Sequence, residues 1–224
     1  MIDQLFPEGI VTVVATEAMW AGELFPEEAA AIARAVPKRR REFTAGRLCA
    51  RAALAQLGVP PAPLLSAADR TPCWPEGIVG SITHCPDYCV SVVGRREHWA
   101  GLGVDAESAE PLEPALAARI CRPAEIAQLE GHSPPAGTNW EKLIFSAKES
   151  TYKCYYPLAR TFLGFHDVAI ELSPEAGRFT ARLLRDGVPP AGGARRFDGR
   201  FACDGAHVFT GVALPAPRGD QNKV

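Results

Sequence analysis

The sequence predicts an α+β fold made of two similar α/β halves, with a site at the seam between them. Three observations carry that expectation. A long helical stretch occurs in each half, Lys38–Leu57 in the first and Trp140–Pro157 in the second. Runs of β-branched or alternating residues, which read as strands, follow each of them. The order of helical segments and about three strands thus occurs twice, with the join near Glu107, although no repeat of sequence is visible. Domains at 1–107 and 108–224 follow, with 215–224 as a flexible polar tail.

Each element has a local reason. Ile10–Thr16 is a β-branched run and reads as a buried strand. Pro26–Ala35 is rich in Ala and Glu and starts at a proline, which suits a first helical turn; Pro37 breaks it. Lys38–Leu57 has apolar residues at mixed three- and four-residue steps, and Gly58 is a good stop. Val59–Gly77 holds five prolines and reads as a loop. Ile78–Thr83, Tyr88–Gly94 and Ala100–Glu107 read as three consecutive strands, with a turn at Pro86-Asp87. Leu112–Cys121 and Ala124–Leu129 are short helices. Asn139 can cap the second long helix, and Pro157 is expected to end it. Gly164–Leu172, Arg178–Arg185, Arg200–Cys203 and Val208–Leu214 complete the strands.

Composition narrows the function classes. Lys plus Arg is 24 against 26 Asp plus Glu, a formal net charge of -2, so no global field attracts nucleic acid or an anionic membrane. Any anion site must come from local clustering. The start, MIDQLFPEGI, lacks a basic segment followed by a long apolar one, and the 7 cysteines form no Cys-x-x-Cys pair. A cytoplasmic protein with reduced thiols is expected.

Several constellations can carry chemistry. Asp105 and Glu107 lie two apart on a strand, so both carboxylates can point into one cleft and share a hard cation such as Mg²⁺. Taken alone, they also read as two exposed acids at a strand end. Glu149 and Lys153 stand one helical turn apart, which alone would be a surface pair. Lys148 projects elsewhere on the same helix. Arg39 and Arg47 share a helix face within a basic cluster, and arginine forks suit phosphate oxygens. Thr83 and His84 end a strand and can bond a phosphate. His84 with Cys85 and Cys89 lacks a zinc spacing. Gly101-x-Gly103 lacks the third glycine of a dinucleotide fingerprint.

The ordered set GVDAE (103–107) and FSAKESTYK (145–153) resembles the 4′-phosphopantetheinyl transferases, in their surfactin-type and siderophore-type branch. RRREFTAGRLCARAAL (39–54), PCWPEGIVGSITH (72–84) and YYPLARTFLGF (155–165) extend the resemblance over most of the chain. It implies a pseudo-dimeric fold in one chain, acting as a monomer. It implies transfer of the 4′-phosphopantetheine group of coenzyme A to a serine of apo acyl or peptidyl carrier proteins, as in fatty-acid, polyketide, nonribosomal-peptide or siderophore synthesis. Adenosine 3′,5′-bisphosphate is the second product. Asp105, Glu107 and Glu149 are the implied Mg²⁺ ligands, with Mn²⁺ an alternative, and Glu149 and Lys153 the implied catalytic pair. Lys148 and Lys153 would reach the phosphates of coenzyme A, with Arg39, Arg47, Arg70, Thr83 and His84 at its 3′-phosphate and adenosine end.

Overall fold

The computed structural model describes residues 1–135 and 137–217. The chain runs β1 (Ile10–Val14), α1 (Pro26–Ala31), α2 (Pro37–Gln56), β2 (Ile78–Cys85), β3 (Tyr88–Arg95), β4 (Trp99–Ser108), α3 (Pro114–Ile120), α4 (Pro123–Ala127), α5 (Trp140–Ala159), β5 (Val168–Ser173), β6 (Arg178–Leu183), β7 (Arg196–Cys203) and β8 (His207–Pro215). The mixture of helix and antiparallel sheet is the α+β class that the sequence predicts. Of the predicted tail, Pro215 belongs to β8, and 218–224 lie outside the described residues.

Two antiparallel sheets form, ordered β1-β3-β2 and β4-β8-β7-β6-β5. The second corrects the sequence reading. β4 follows β3 in the chain, yet it bonds along β8 from Trp99 to Ser108, with Asp105 opposite Thr210. The strand expected to close the first half therefore opens the second sheet, because its partner lies at the far end of the chain.

Local chemistry accounts for most element ends. Pro37 starts α2 rather than merely breaking α1, since proline lacks only an amide that the first turn leaves free. Gly58 takes φ +73 after α2, and the Gly58 and Val59 amides bond Ala55 and Leu54 carbonyls, a Schellman stop. In the two-residue turn between β2 and β3, Pro86 precedes Asp87 at φ +57. The Asn139 side chain accepts the Lys142 amide at 2.9 Å and caps α5. Pro157 does not end that helix. It lies in the last turn, where one missing backbone bond is tolerated, and Arg160 at φ +50 forms the cap.

Alternation along β4 builds the seam. Leu102, Val104 and Ala106 are buried with Val79, Val90 and Val92 of the first sheet, and Ile2, Leu5 and Phe6 join this core. The intervening residues Gly101, Gly103, Asp105 and Glu107 therefore lie on the other face. That is the α5 side, because a Cβ on Gly103 would stand 1.8 Å from the Ser150 carbonyl oxygen and one on Gly101 2.9 Å from that of Cys154. The Gly-x-Gly pair thus serves close packing of helix on strand. β2 lies along β4 without a backbone ladder; the Val104 amide donates to Ser81 Oγ at 3.1 Å.

A repeated staple fixes the long helices. Glu28, at the third position of α1, accepts the Phe25 amide, the Leu64 amide and Arg51 of α2. Glu125, at the third position of α4, accepts the Arg122 amide, the Ile170 amide and Lys148 of α5. In both, the base lies 23 residues after the acid, and both acids are buried. This is a sequence-level repeat, Pro-x-Glu followed by a distant base, in a chain read above as having none.

Candidate active site

The seam brings together β2, β4, α2 and α5. Asp105 is buried beneath α5 and both of its carboxylate oxygens accept hydrogen bonds. Lys153 Nζ stands 2.6 Å from Oδ1, Thr83 Oγ1 donates to the same oxygen at 3.1 Å, and Ser146 Oγ donates to Oδ2 at 2.8 Å. Lys153 also reaches Thr83 Oγ1 at 3.0 Å. Thr210 and Ser150 extend the network behind Ser146. The surface pair of Glu149 with Lys153 that helical spacing suggests is not formed; Lys153 turns to Asp105 instead, where a buried carboxylate needs a counter-charge.

The neighbouring acids crowd one another. Burial first, and then Asp105, pushes the Glu107 carboxyl up to about 7. The same two causes, in the same order, raise Glu149. Glu107 meets Lys142 at 3.8 Å. This all-oxygen, mutually repelling donor set fits a hard divalent cation in its chemistry. Among the described residues, however, no three His, Cys, Asp or Glu side chains converge as a ready ligand cage. The cations that meet these acids are Lys153 and Lys142.

A cleft of about 950 Å³ opens beside this cluster. Arg39, Arg47, Arg70, His84 and Lys153 all line it. Arg39 Nη1 donates to His84 Nε2 at 3.0 Å, and Glu42 lies 3.7 Å from the other ring nitrogen. Burial pushes the His84 imidazole below its ordinary pKa; Glu42 opposes this, and Arg39 and Lys153 add to it. Arg47 is buried, stacks 4.1 Å over Phe43 and donates to Ser66 Oγ at 2.7 Å. Its Nε has no partner, and desolvation pulls its pKa down to about 10. The guanidinium lines the cleft, where its fork suits an anion, while the idle Nε itself is buried. Arg70 lies on the wall in the left-handed region, φ +69. Tyr152 also lines the cleft, whereas Phe145 packs on Phe165 away from it.

Lys148 departs from the expected arrangement. Its side chain is 2% exposed, and its ammonium is saturated by Glu125 and the Ile120 and Phe165 carbonyls at 2.8, 2.8 and 2.9 Å. One step round the helix from Glu149, it faces the core of the second half and does not line the arginine-walled cleft. Cys85 forms no metal site with His84 and Cys89; burial pushes its thiol up to about 12. Sequence reasoning missed Ser146, Lys142, Ser66 and Asp69. Their residue types carry no site signal of their own; only tertiary packing sets them beside the acids and arginines.

Comparison with known proteins identifies the family. Residues 27–94 match the family model described as the 4′-phosphopantetheinyl transferase N-terminal domain, and residues 101–201 match that of the 4′-phosphopantetheinyl transferase superfamily. The gap between the two matches spans the link from β3 to β4, where the structure also passes from one sheet to the other. The chain is 47% identical to 4′-phosphopantetheinyl transferase Svp of Streptomyces mobaraensis, covering 88% of this chain and 80% of that protein. It is 44% identical to 4′-phosphopantetheinyl transferase PptT of Mycobacterium tuberculosis, over 84% and 85% of the two chains. It is 33% identical to 4′-phosphopantetheinyl transferase Npt of Nocardia iowensis, over 95% and 99%. With both halves matched and the acids, lysine and arginines gathered at one seam, the chain belongs to the 4′-phosphopantetheinyl transferase superfamily.

Proposed function

We propose that this transferase is of the holo-acyl-carrier-protein synthase type, and that the seam between β2, β4 and α5 is where coenzyme A and the carrier serine meet. The observation that carries the reading is the contact of Lys153 with Asp105 and Thr83 at the head of an arginine-lined cleft. Arg39, Arg47, Arg70 and His84 would hold the 3′-phosphate and adenosine end by charge and hydrogen bonds. Asp105, Glu107 and Glu149 would hold Mg²⁺ or Mn²⁺. When bound, the ion supplies charge neutralisation at the pyrophosphate oxygens.

The carrier serine oxygen attacks the β-phosphorus, and the bond from that phosphorus to the bridging oxygen breaks. The serine proton passes to Glu149, directly or through a water. Lys153 turns its ammonium from Asp105 to the leaving phosphate and steadies the charge that develops there. Lys148 takes no part; its role is to fix the rotation of α5. The enzyme acts as a cytoplasmic monomer. No helix among the described residues is long and apolar enough to cross a membrane.

The test is incubation with coenzyme A, Mg²⁺ and an apo carrier protein, read by the mass of the carrier. A gain of phosphopantetheine is expected, with a loss of roughly 10²–10³-fold in rate for Lys153→Ala. No gain on any of several apo carriers, with the protein folded, overturns the reading.

A further inference from the structure

The loop between α2 and β2 carries a small hairpin that spans the seam. Ser66 bridges Pro72, the Ala67 amide bonds the Thr71 carbonyl, and the Arg70 amide bonds the Ala67 carbonyl. Leu64, buried, anchors one end. Trp74 anchors the other against Gly80, where a Cβ would meet the indole at 2.7 Å. Between these anchors, packing does not hold the hairpin. The large cleft lies on one side and a second pocket of about 230 Å³ on the other, and both are lined by Thr71, Pro72 and Arg160.

Polar contacts to α5 take the place of packing, and they converge on one side chain. Asp69 Oδ2 accepts Arg160 Nη1 at 2.7 Å and the Tyr156 hydroxyl at 3.2 Å, across the seam. Asp69 Oδ1 accepts the Thr71 amide at 3.0 Å and the Thr71 hydroxyl at 2.6 Å, within the hairpin. Arg160 Nη1 also reaches Thr71 Oγ1 at 3.2 Å. The Thr71 bonds, ahead of the others, hold the Asp69 carboxyl down at about 2, so it is charged at any working pH. Arg70, the chain neighbour of Asp69, at φ +69, and Arg160, its partner across the seam, at φ +50, both sit in the left-handed region, a conformation that is retained where surrounding bonds enforce it.

We propose that Asp69 is a positioning residue for coenzyme A. It latches the 66–72 hairpin of the first half to α5 of the second. It thereby holds Arg70 on the cleft wall and Ser66 against Arg47. Asp69 acts through these groups on the donor end and not on the reacting phosphorus. The proposal rests on the reading of the cleft as the coenzyme A site.

Three measurements on the full chain test it. Hydrogen exchange of the 66–71 amides reads the latch with no ligand present. Calorimetry reads coenzyme A affinity, and carrier modification separates KM from kcat. For Asp69→Ala we expect faster exchange across 66–71, about fivefold weaker coenzyme A binding with a matching rise in KM, and kcat within about twofold. Arg160→Ala should reproduce this, and the double variant should add little to either single one. Asp69→Asn, which keeps acceptors for Thr71, should recover part of the affinity. Unchanged exchange and affinity in Asp69→Ala, a fall in kcat at constant KM, or fully additive single effects each overturn the proposal. If wild-type protein modified no carrier, the functional reading would fail, while exchange and coenzyme A binding would still decide the latch.

Discussion

The two halves use the same staple on long helices that serve opposite ends of the cleft. In the first half, buried Glu28 holds Arg51 of α2; in the second, buried Glu125 holds Lys148 of α5. The settings differ. Lys148 is 2% exposed and makes three bonds, whereas Arg51 is 20% exposed, stacks 4.5 Å over Phe25 and leaves its Nε unpartnered. Beyond the staples the helices diverge. α2 turns arginines, Arg39 and Arg47, into the cleft; α5 turns an acid and a base, Glu149 and Lys153, toward the strand acids. A charge on these helices therefore has two possible fates, scaffold or site, and the neighbour it meets decides between them.

Breaking the staples is the strongest test of this comparison. Lys148→Met leaves Glu125 buried without a counter-charge and should cost about 3–5 kcal/mol in urea unfolding. Replacing both partners, Glu125→Leu with Lys148→Met, removes the buried charge but should recover only part of that loss, because the Arg122 and Ile170 amides then lose their acceptor. Arg51→Met should cost less, about 1–3 kcal/mol, because water can reach Glu28 through the partly open Arg51 position. Equal losses in the two halves would show that exposure does not set the cost. The smallest effect expected is at the exposed end of the arginine face. Arg39→Ala should raise the KM for coenzyme A about fivefold, with stability unchanged to within about 0.5 kcal/mol. Lys148→Met, assayed at a temperature where it stays folded, should leave that KM near wild type; a large rise would return Lys148 to the phosphates.

Much of this architecture was legible in the sequence because its signals are local. Gly58 and Asn139 mark helix ends through their own backbone chemistry, and the spacing of Asp105 and Glu107 puts both on one face of a strand. The order GVDAE then FSAKESTYK pointed to the family, and the comparisons bear that out. What the sequence left unread depended on distant partners. β4 pairs with β8, roughly a hundred residues on, and nothing within the strand encodes that choice. Lys148 meets Glu125 and two carbonyls only after α3, α4 and the turn that precedes β5 have packed. The repeat of Pro-x-Glu with a base 23 residues later was readable, but only by aligning the two halves on their short helices instead of their long ones.

The central claim is that α5 and β4 together form a phosphoryl-transfer site, with Glu149 acting on the carrier serine. The most direct measurement is the carrier-mass assay on Glu149→Gln beside wild type, with the unfolding midpoint of both recorded. The account predicts modification by wild type, a loss of about 10²-fold or more in Glu149→Gln, and matching midpoints. Near-normal transfer by a folded Glu149→Gln would contradict it.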